Sequence, residues 1–202
     1  MVRTIFFGIL LGTLSWSTAF SDTLQIDIDK SHVNWEGRKV SGAHNGTLQI
    51  NAGEVVFEGD TLVSGFIVID MNSIRVTDIN NPEMNKRLER HLKHSDFFNV
   101  EEHAYSRFEF RKASILELNA ERARYLLEGD LEIKGMRHPL NMKIWVAKGR
   151  VAASAEGRAT VDRTLYDIRY KSARFFPGIG DRAIYDDFEI SFDLLTRQSR
   201  NS

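Results

Sequence analysis

Apolar and polar residues change places at almost every step over much of the chain. In Asp187-Phe188-Glu189-Ile190-Ser191-Phe192-Asp193-Leu194 the alternation is unbroken, and Arg107-Phe108-Glu109-Phe110-Arg111 repeats it. Period two is the mark of a strand with one face buried. Leu127, Gly129, Leu131 and Ile133 form one such face, with Glu128, Asp130 and Glu132 opposite; Leu140, Met142, Ile144 and Val146 form another. Shorter runs predict strands over 33–37, 47–51, 54–58, 66–71 and 150–162. Turns are expected at residues 42–46, Asn51-Ala52-Gly53, Glu58-Gly59-Asp60, Lys134-Gly135 and Lys148-Gly149. Many antiparallel strands at short spacing predict an all-β fold, a sandwich or an up-and-down barrel of about eight strands.

One segment breaks the rhythm. Asn80-Asn81-Pro82 is a helix start, with the proline suited to the first turn. Met84, Leu88, Leu92 and His91 then share a face through Lys93, which predicts a short helix crossing one end of the barrel. Ser95-Asp96-Phe97-Phe98 is its exit, and Pro139 and Pro177 are expected at breaks. No linker, repeat or charge block divides residues 22–202, so a single domain is expected.

The first residues are of a different kind. Arg3 is the only charge before Asp22 and precedes an apolar run from Ile5 to Leu14. Ten residues rise roughly 15 Å as a helix, about half a bilayer core. Ala19-Phe20-Ser21 offers the small-residue spacing that signal peptidase reads. A cleaved secretory signal over residues 1–21 is expected, and with it a periplasmic protein that is not integral to the membrane.

Charge and composition then narrow the chemistry. Lys and Arg number 27 against 28 Asp and Glu, for a net charge of -1. That argues against a nucleic-acid partner, which favours a basic surplus. Cysteine is absent, so disulfides, thiolate nucleophiles and Cys-ligated metals are excluded. No Gly-x-Ser-x-Gly, Ser-x-x-Lys or His-Glu-x-x-His occurs. Asp186-Asp187 and Glu101-Glu102 are sequence neighbours, so on a strand each pair points to opposite faces. His91, His94 and His103, with Asp96, are the one arrangement that could hold zinc, and helical i,i+3 spacing alone is a weak metal signal.

The strand faces point elsewhere. Val151, Ala153, Ala155, Gly157, Ala159 and Val161 read as an inward set, mostly small, across from Phe108, Phe110, Phe188 and Phe192. Such an interior is either filled by the large residues or left as a cavity for one small ligand. An elongated apolar cavity selects an elongated apolar ligand at about 0.8 kcal/mol per buried methylene. Arg163, Arg169, Lys171, Arg174 and Arg182, beside Tyr166, Tyr170, Phe175 and Phe176, read either as a rim for a polar head group or as a solvated barrel mouth.

At His91-Leu92-Lys93-His94-Ser95-Asp96-Phe97-Phe98-Asn99-Val100-Glu101-Glu102 the sequence resembles the helix-to-strand signature of the YceI-like family, lipocalin-like polyisoprenoid-binding proteins of bacteria. Ser31-His32-Val33-Asn34-Trp35 is similar to the family's opening strand, and residues 127–135 with His138-Pro139-Leu140 to a hairpin of the family. Asp162-Arg163-Thr164 resembles a further element, and residues 187–194 the closing strand. Ala104 and Asp167 depart from it, standing where proline and glycine are usual. The resemblance implies an antiparallel lipocalin-like barrel whose tunnel holds an isoprenoid quinone, a polyprenyl chain or a fatty lipid. It implies no catalytic residue and no cofactor beyond a quinone held as ligand, and it allows a homodimer. Alternation and resemblance together nominate Phe66, Val68, Phe108, Phe110, Leu131, Met142, Ile144, Ala155, Tyr166, Phe188 and Phe192 as ligand-binding. The alternative is a quinone- or metal-dependent redox accessory using the His91, His94 and His103 region.

Overall fold

A computed structural model describes residues 21–198. Apart from Ser21, the secretory signal expected over residues 1–21 lies outside the described residues. The chain runs β1 (Ser21–Ile26), β2 (His32–Lys39), β3 (Gly42–Glu58), β4 (Thr61–Val76), α1 (Pro82–Lys93), β5 (Tyr105–Leu118), β6 (Ala123–Ile133), β7 (Met136–Lys148), β8 (Ala153–Asp162) and β9 (Ile184–Gln198). All pairings are antiparallel, in the order β1-β3-β2-β9-β8-β7-β6-β5-β4, and β3 also pairs with β4, which closes the ring.

Nine strands fill eight barrel positions. β1 pairs with Glu54 to Glu58 of β3 and with the end of β9, while β2 pairs with the first half of β3 and the first part of β9. β1 and β2 are therefore two halves of one stave, interrupted by a turn in which Lys30 N–H donates to Asp27 O. This first half was not among the expected strands, although Leu24 and Ile26 alternate with Thr23 and Gln25 and are both buried.

Four other expectations are corrected. Residues 42–46 and Asn51-Ala52-Gly53 are not turns but lie inside β3, whose pairing with β4 shifts register between Thr47 and Gln49 and between Ile50 and Ala52. Gly46 and Gly53 stay paired, with Val76 and Ile67, and the ladder continues on both sides of these bulges. Pro139 is not at a break but within β7, opposite Asp130. β8 pairs with β7 only from Ile144 to Lys148, so on that side no ladder partner is lost to the missing N–H. β8 begins at Ala153 rather than at residue 150; Val151 sits in the preceding turn, 66% exposed, and does not face inward. In α1, Met84 is 62% exposed, and the side turned to the barrel is carried by Leu88 and Leu92.

The helix itself forms as expected. Asn81 Oδ1 accepts from Glu83 and Met84 N–H at 3.1 and 3.0 Å, and Pro82 opens the first turn. Its exit folds back under it: Phe98 N–H donates to Leu92 O and Val100 N–H to Lys93 O. That return places Phe97 and Phe98 over the end of the barrel. The buried side chains fall into four separate clusters around the barrel axis rather than one.

Candidate functional site: the barrel cavity

The space between those clusters is a cavity. Its volume is about 220 Å³, room for far more than a single water. On β9 its wall runs from Ile184 to Thr196, roughly 40 Å along the strand at about 3.3 Å per residue. It is long, narrow and apolar.

One end is shut. Phe57 and Leu62 are 1% and 2% exposed there, and Leu62 N–H donates to Tyr125 Oη at 3.3 Å. Beside them Thr196 Oγ1 accepts from Ala153 N–H at 2.8 Å and donates to Ala153 O at 3.2 Å, tying β9 to β8. At the other end the wall includes Tyr185, 51% exposed, and Asp187, also exposed. The cavity opens at that end, beneath the loop of residues 163–183 and the exit of α1.

Nine of the eleven nominated residues line it: Phe66, Phe108, Phe110, Leu131, Met142, Ile144, Ala155, Phe188 and Phe192. Phe66 does so from the outer face, where the Arg107 guanidinium lies 3.9 Å from its ring centroid. Val68 is not part of the wall; it shares the outer parity of Phe66, while Ile67 and Ile69 face the lumen. Tyr166 is not part of it either. It is buried against Val161, Ile168 and Ile133, which do line the cavity, its hydroxyl donating to Leu131 O at 3.3 Å and its ring edge-on to His138. Burial, with Asp130 and Asp162 nearby, pushes its phenol up to about 12.

Sequence reasoning missed the α1 exit as wall. Leu92, Phe97 and Phe98 close the mouth from one side, Phe98 meeting Phe188 edge-on. Their helical spacing and the Phe-Phe pair were the available signal.

Two buried polar groups in the wall, those of Ser106 and Arg163, are engaged by backbone carbonyls. Ser106 Oγ donates to Glu132 O at 2.7 Å. Arg163, expected on the rim, is buried at the mouth instead: Nε donates to Tyr185 O, Nη1 to Ile168 O, and Nη2 to Ile184 O and Asp186. Burial pulls its pKa below the ordinary guanidinium value, and Asp186 and Asp162 act against that. Its role in the fold is to pin the 163–168 turn, which begins the roof loop, to the start of β9.

The histidines do not converge on the cavity. His91 is wedged edge-on between Phe97 and Tyr170, at 4.9 and 4.7 Å between centroids. Asp96 reaches His91 Nε2 at 3.3 Å and His94 Nδ1 at 3.4 Å, while His103 lies against the β6–β7 turn at Gly135. Among the described residues no cluster of three or more His, Asp or Glu has the geometry to hold a metal ion. Nor is any helix among them long and apolar enough to cross a membrane.

With this geometry in hand, comparison with known proteins is specific. A family model described as the YceI-like domain matches residues 24–195. No curated protein gives a match. Among solved structures, BcnA from Burkholderia cenocepacia superposes with a TM-score of 0.66 at 18% identity, covering 84% of this chain and 98% of that one. A polyisoprenoid binding domain from Saccharophagus degradans, described as implicated in plant cell wall breakdown, gives 0.61 at 13% identity over 87% and 98%. A Campylobacter jejuni YCEI protein gives 0.52 at 14% identity over 99% and 100%. At these identities the likeness is one of fold.

Proposed function

The chain belongs to the YceI-like family, and from that premise we propose that its barrel binds an amphiphilic isoprenoid, or another long-chain lipid, and carries it unaltered. One observation supports this most. Phe108, Leu131, Leu140, Ile190 and Phe192 face the lumen yet are only half-buried, because the surface they keep is cavity wall. A filled core would leave them no such surface, since protein interiors pack at crystal-like density. An apolar chain lying there gains about 0.8 kcal/mol for each methylene it buries.

The shape favours a tail over a compact ligand. A narrow tunnel closed at one end and open at the other takes a linear chain tail-first and leaves its head group at the mouth. The printed description of the Saccharophagus degradans structure, a polyisoprenoid binding domain, agrees with that ligand class. An isoprenoid quinone meets the requirement as a ligand rather than as a cofactor, and the reading assigns no catalytic residue. The apolar N-terminal run, with small residues before Asp22, supports a periplasmic location.

Ala155 gives the test. It lines the cavity and packs between two of the core clusters. Phe at this position projects a ring into the tunnel. Titration of the purified protein with an isoprenoid quinone is expected to show binding by the wild type and at least a tenfold weaker affinity for Ala155→Phe, with thermal unfolding still cooperative. Equal affinity in the two proteins would remove the cavity from the binding reaction.

A further inference from the structure

The loop over the mouth turns aromatic surface outward as well as inward. Ile168 and Ile184 line the cavity from beneath, while Phe175 and Phe176 are 38% and 50% exposed on the solvent side. Two more exposed apolar side chains stand at the same end: Leu165, and Val40 at the tip of the β2–β3 hairpin, whose N–H donates to Ala183 O at 3.2 Å. Large apolar side chains gathered on an exposed loop mark an interaction surface more often than scattered ones do.

The charge beside them chooses the partner. Residues 163–183 carry five cations, Arg163, Arg169, Lys171, Arg174 and Arg182, against two carboxylates, Asp167 and Asp181, in a chain whose net charge is -1. Arg169, Arg174 and Arg182 are exposed. The Arg169 guanidinium lies 4.9 Å from the Phe175 ring centroid and the Lys171 ammonium 5.3 Å from that of Tyr170. The adjoining hairpin adds Arg38 and Lys39 against Glu36, and the β6–β7 turn adds Lys134, whose ammonium donates to Asp167 O. Three carboxylates of this end are held by the loop's own arginines: Asp167 by Arg169 at 2.7 Å, Asp162 by Arg174 at 3.6 Å, and Asp186 by Arg163 at 3.4 Å. Asp187 and Asp181, and on the α1 exit Asp96, Glu101 and Glu102, remain exposed.

We propose that this loop docks the barrel, mouth down, on an anionic phospholipid surface, with Phe175 and Phe176 entering the head-group boundary and Arg169, Arg174 and Arg182 meeting the phosphates. Aromatic side chains flanked by arginines are the composition that settles at that boundary. Each basic residue near an anionic leaflet adds about fivefold to partitioning. The orientation sets the open end of the cavity against the source of a lipid. Its purpose rests on the function proposed above, but docking itself does not depend on the cavity being filled.

Co-sedimentation of the full chain with vesicles tests it, using phosphatidylcholine alone and phosphatidylcholine mixed with phosphatidylglycerol. Binding is expected to the mixed vesicles, to weaken in raised salt, and to fall by about tenfold or more in Phe175→Ser/Phe176→Ser, which removes two apolar anchors. Arg169→Gln/Arg174→Gln/Arg182→Gln is expected to lose binding to mixed vesicles and to leave the weak binding to phosphatidylcholine unchanged. All of these positions are exposed, so melting temperatures should stay together, and the N-terminal run is common to every variant. Wild type that ignores the mixed vesicles, or a double phenylalanine variant that binds them equally well, overturns the proposal. So does a wild-type dimer that the phenylalanine variant abolishes without any vesicle binding, which would give the patch to a second copy. Lipid extracted from the same samples reports separately on the cavity: its absence would count against the proposed function and leave the vesicle result standing.

Discussion

Glycine and phenylalanine shape the inner wall position by position. Gly157 pairs with Phe192 across β8 and β9, and a Cβ at Gly157 would stand 2.7 Å from the Phe192 ring. Phe110 is flanked by Gly65 on one side and Gly129 on the other. Each ring lies over a glycine, so the large side chains lean along the wall and the axis stays open. The small/large alternation was legible in the sequence. Whether it filled the barrel was not, because that depends on where each ring leans. Val68 shows the complementary limit: a parity error of one residue moves a side chain to the other face.

Two residues at the turn after β8 carry measurable consequences. The phenol of Tyr166 titrates at about 12 in the fold and at about 10 in the unfolded chain. Between those values the folded state holds the proton more tightly, so stability falls as pH rises from about 10 to about 12. Chemical denaturation across that range should show a smaller loss in Tyr166→Phe than in the wild type; parallel losses would contradict the assignment. Asp167 stands at φ 55°, ψ 32°, the left-handed region, where family members often have glycine. Its ion pair with Arg169 is exposed on both sides and is worth little. Asp167→Gly is therefore expected to raise unfolding free energy by up to about 1 kcal/mol, and a clear loss in denaturant midpoint would show that the carboxylate matters more than the backbone.

At the scale of elements, α1 matters because its exit builds one side of the mouth. The helix has no fully buried residue of its own, so its order depends on its cap and on the return that seats Phe97 and Phe98. Asn81→Ala removes the acceptor for two N–H groups and should cost about 1 kcal/mol. Hydrogen exchange should report this first in residues 82–94, and unchanged protection there would contradict it. The cap, the proline and the helix length were all readable from Asn80-Asn81-Pro82 onward.

Strand β3 shows what was not readable. Gly46 looks like a turn residue, yet its missing side chain lets the backbone of Arg75 approach; a Cβ there would overlap the Arg75 carbonyl. The same carbonyl accepts from Trp35 Nε1 at 3.1 Å. Local composition signals a turn whether the glycine serves a bend or a close contact, and only the neighbouring strand decides. β1 was hidden differently. Its alternation is present in Thr23 to Ile26, but it is short and begins at Ser21, the last residue of the expected secretory signal.

Taken whole, the molecule is a container held without covalent staples. No cysteine is present, so a hydrogen-bond ladder that closes on itself through β3 and β4, and the four clusters around the cavity, hold it. The number and spacing of strands left a sandwich and a barrel both open, and closure was what the family resemblance implied. The sharing of one stave by β1 and β2 was not, since it requires knowing that both meet β3 and β9. The burial of Arg163 in the mouth was likewise out of reach, because the carbonyls that hold it come from residues up to 22 positions away.

The central claim is that the lumen is a lipid site, and native mass spectrometry of the protein gently purified from a bacterial host tests it most directly. The expected spectrum shows the protein carrying one bound lipid of isoprenoid or long-chain mass, released on collisional activation and much reduced in Ala155→Phe. A spectrum of the bare chain alone, with no adduct formed on adding an isoprenoid quinone, would contradict it.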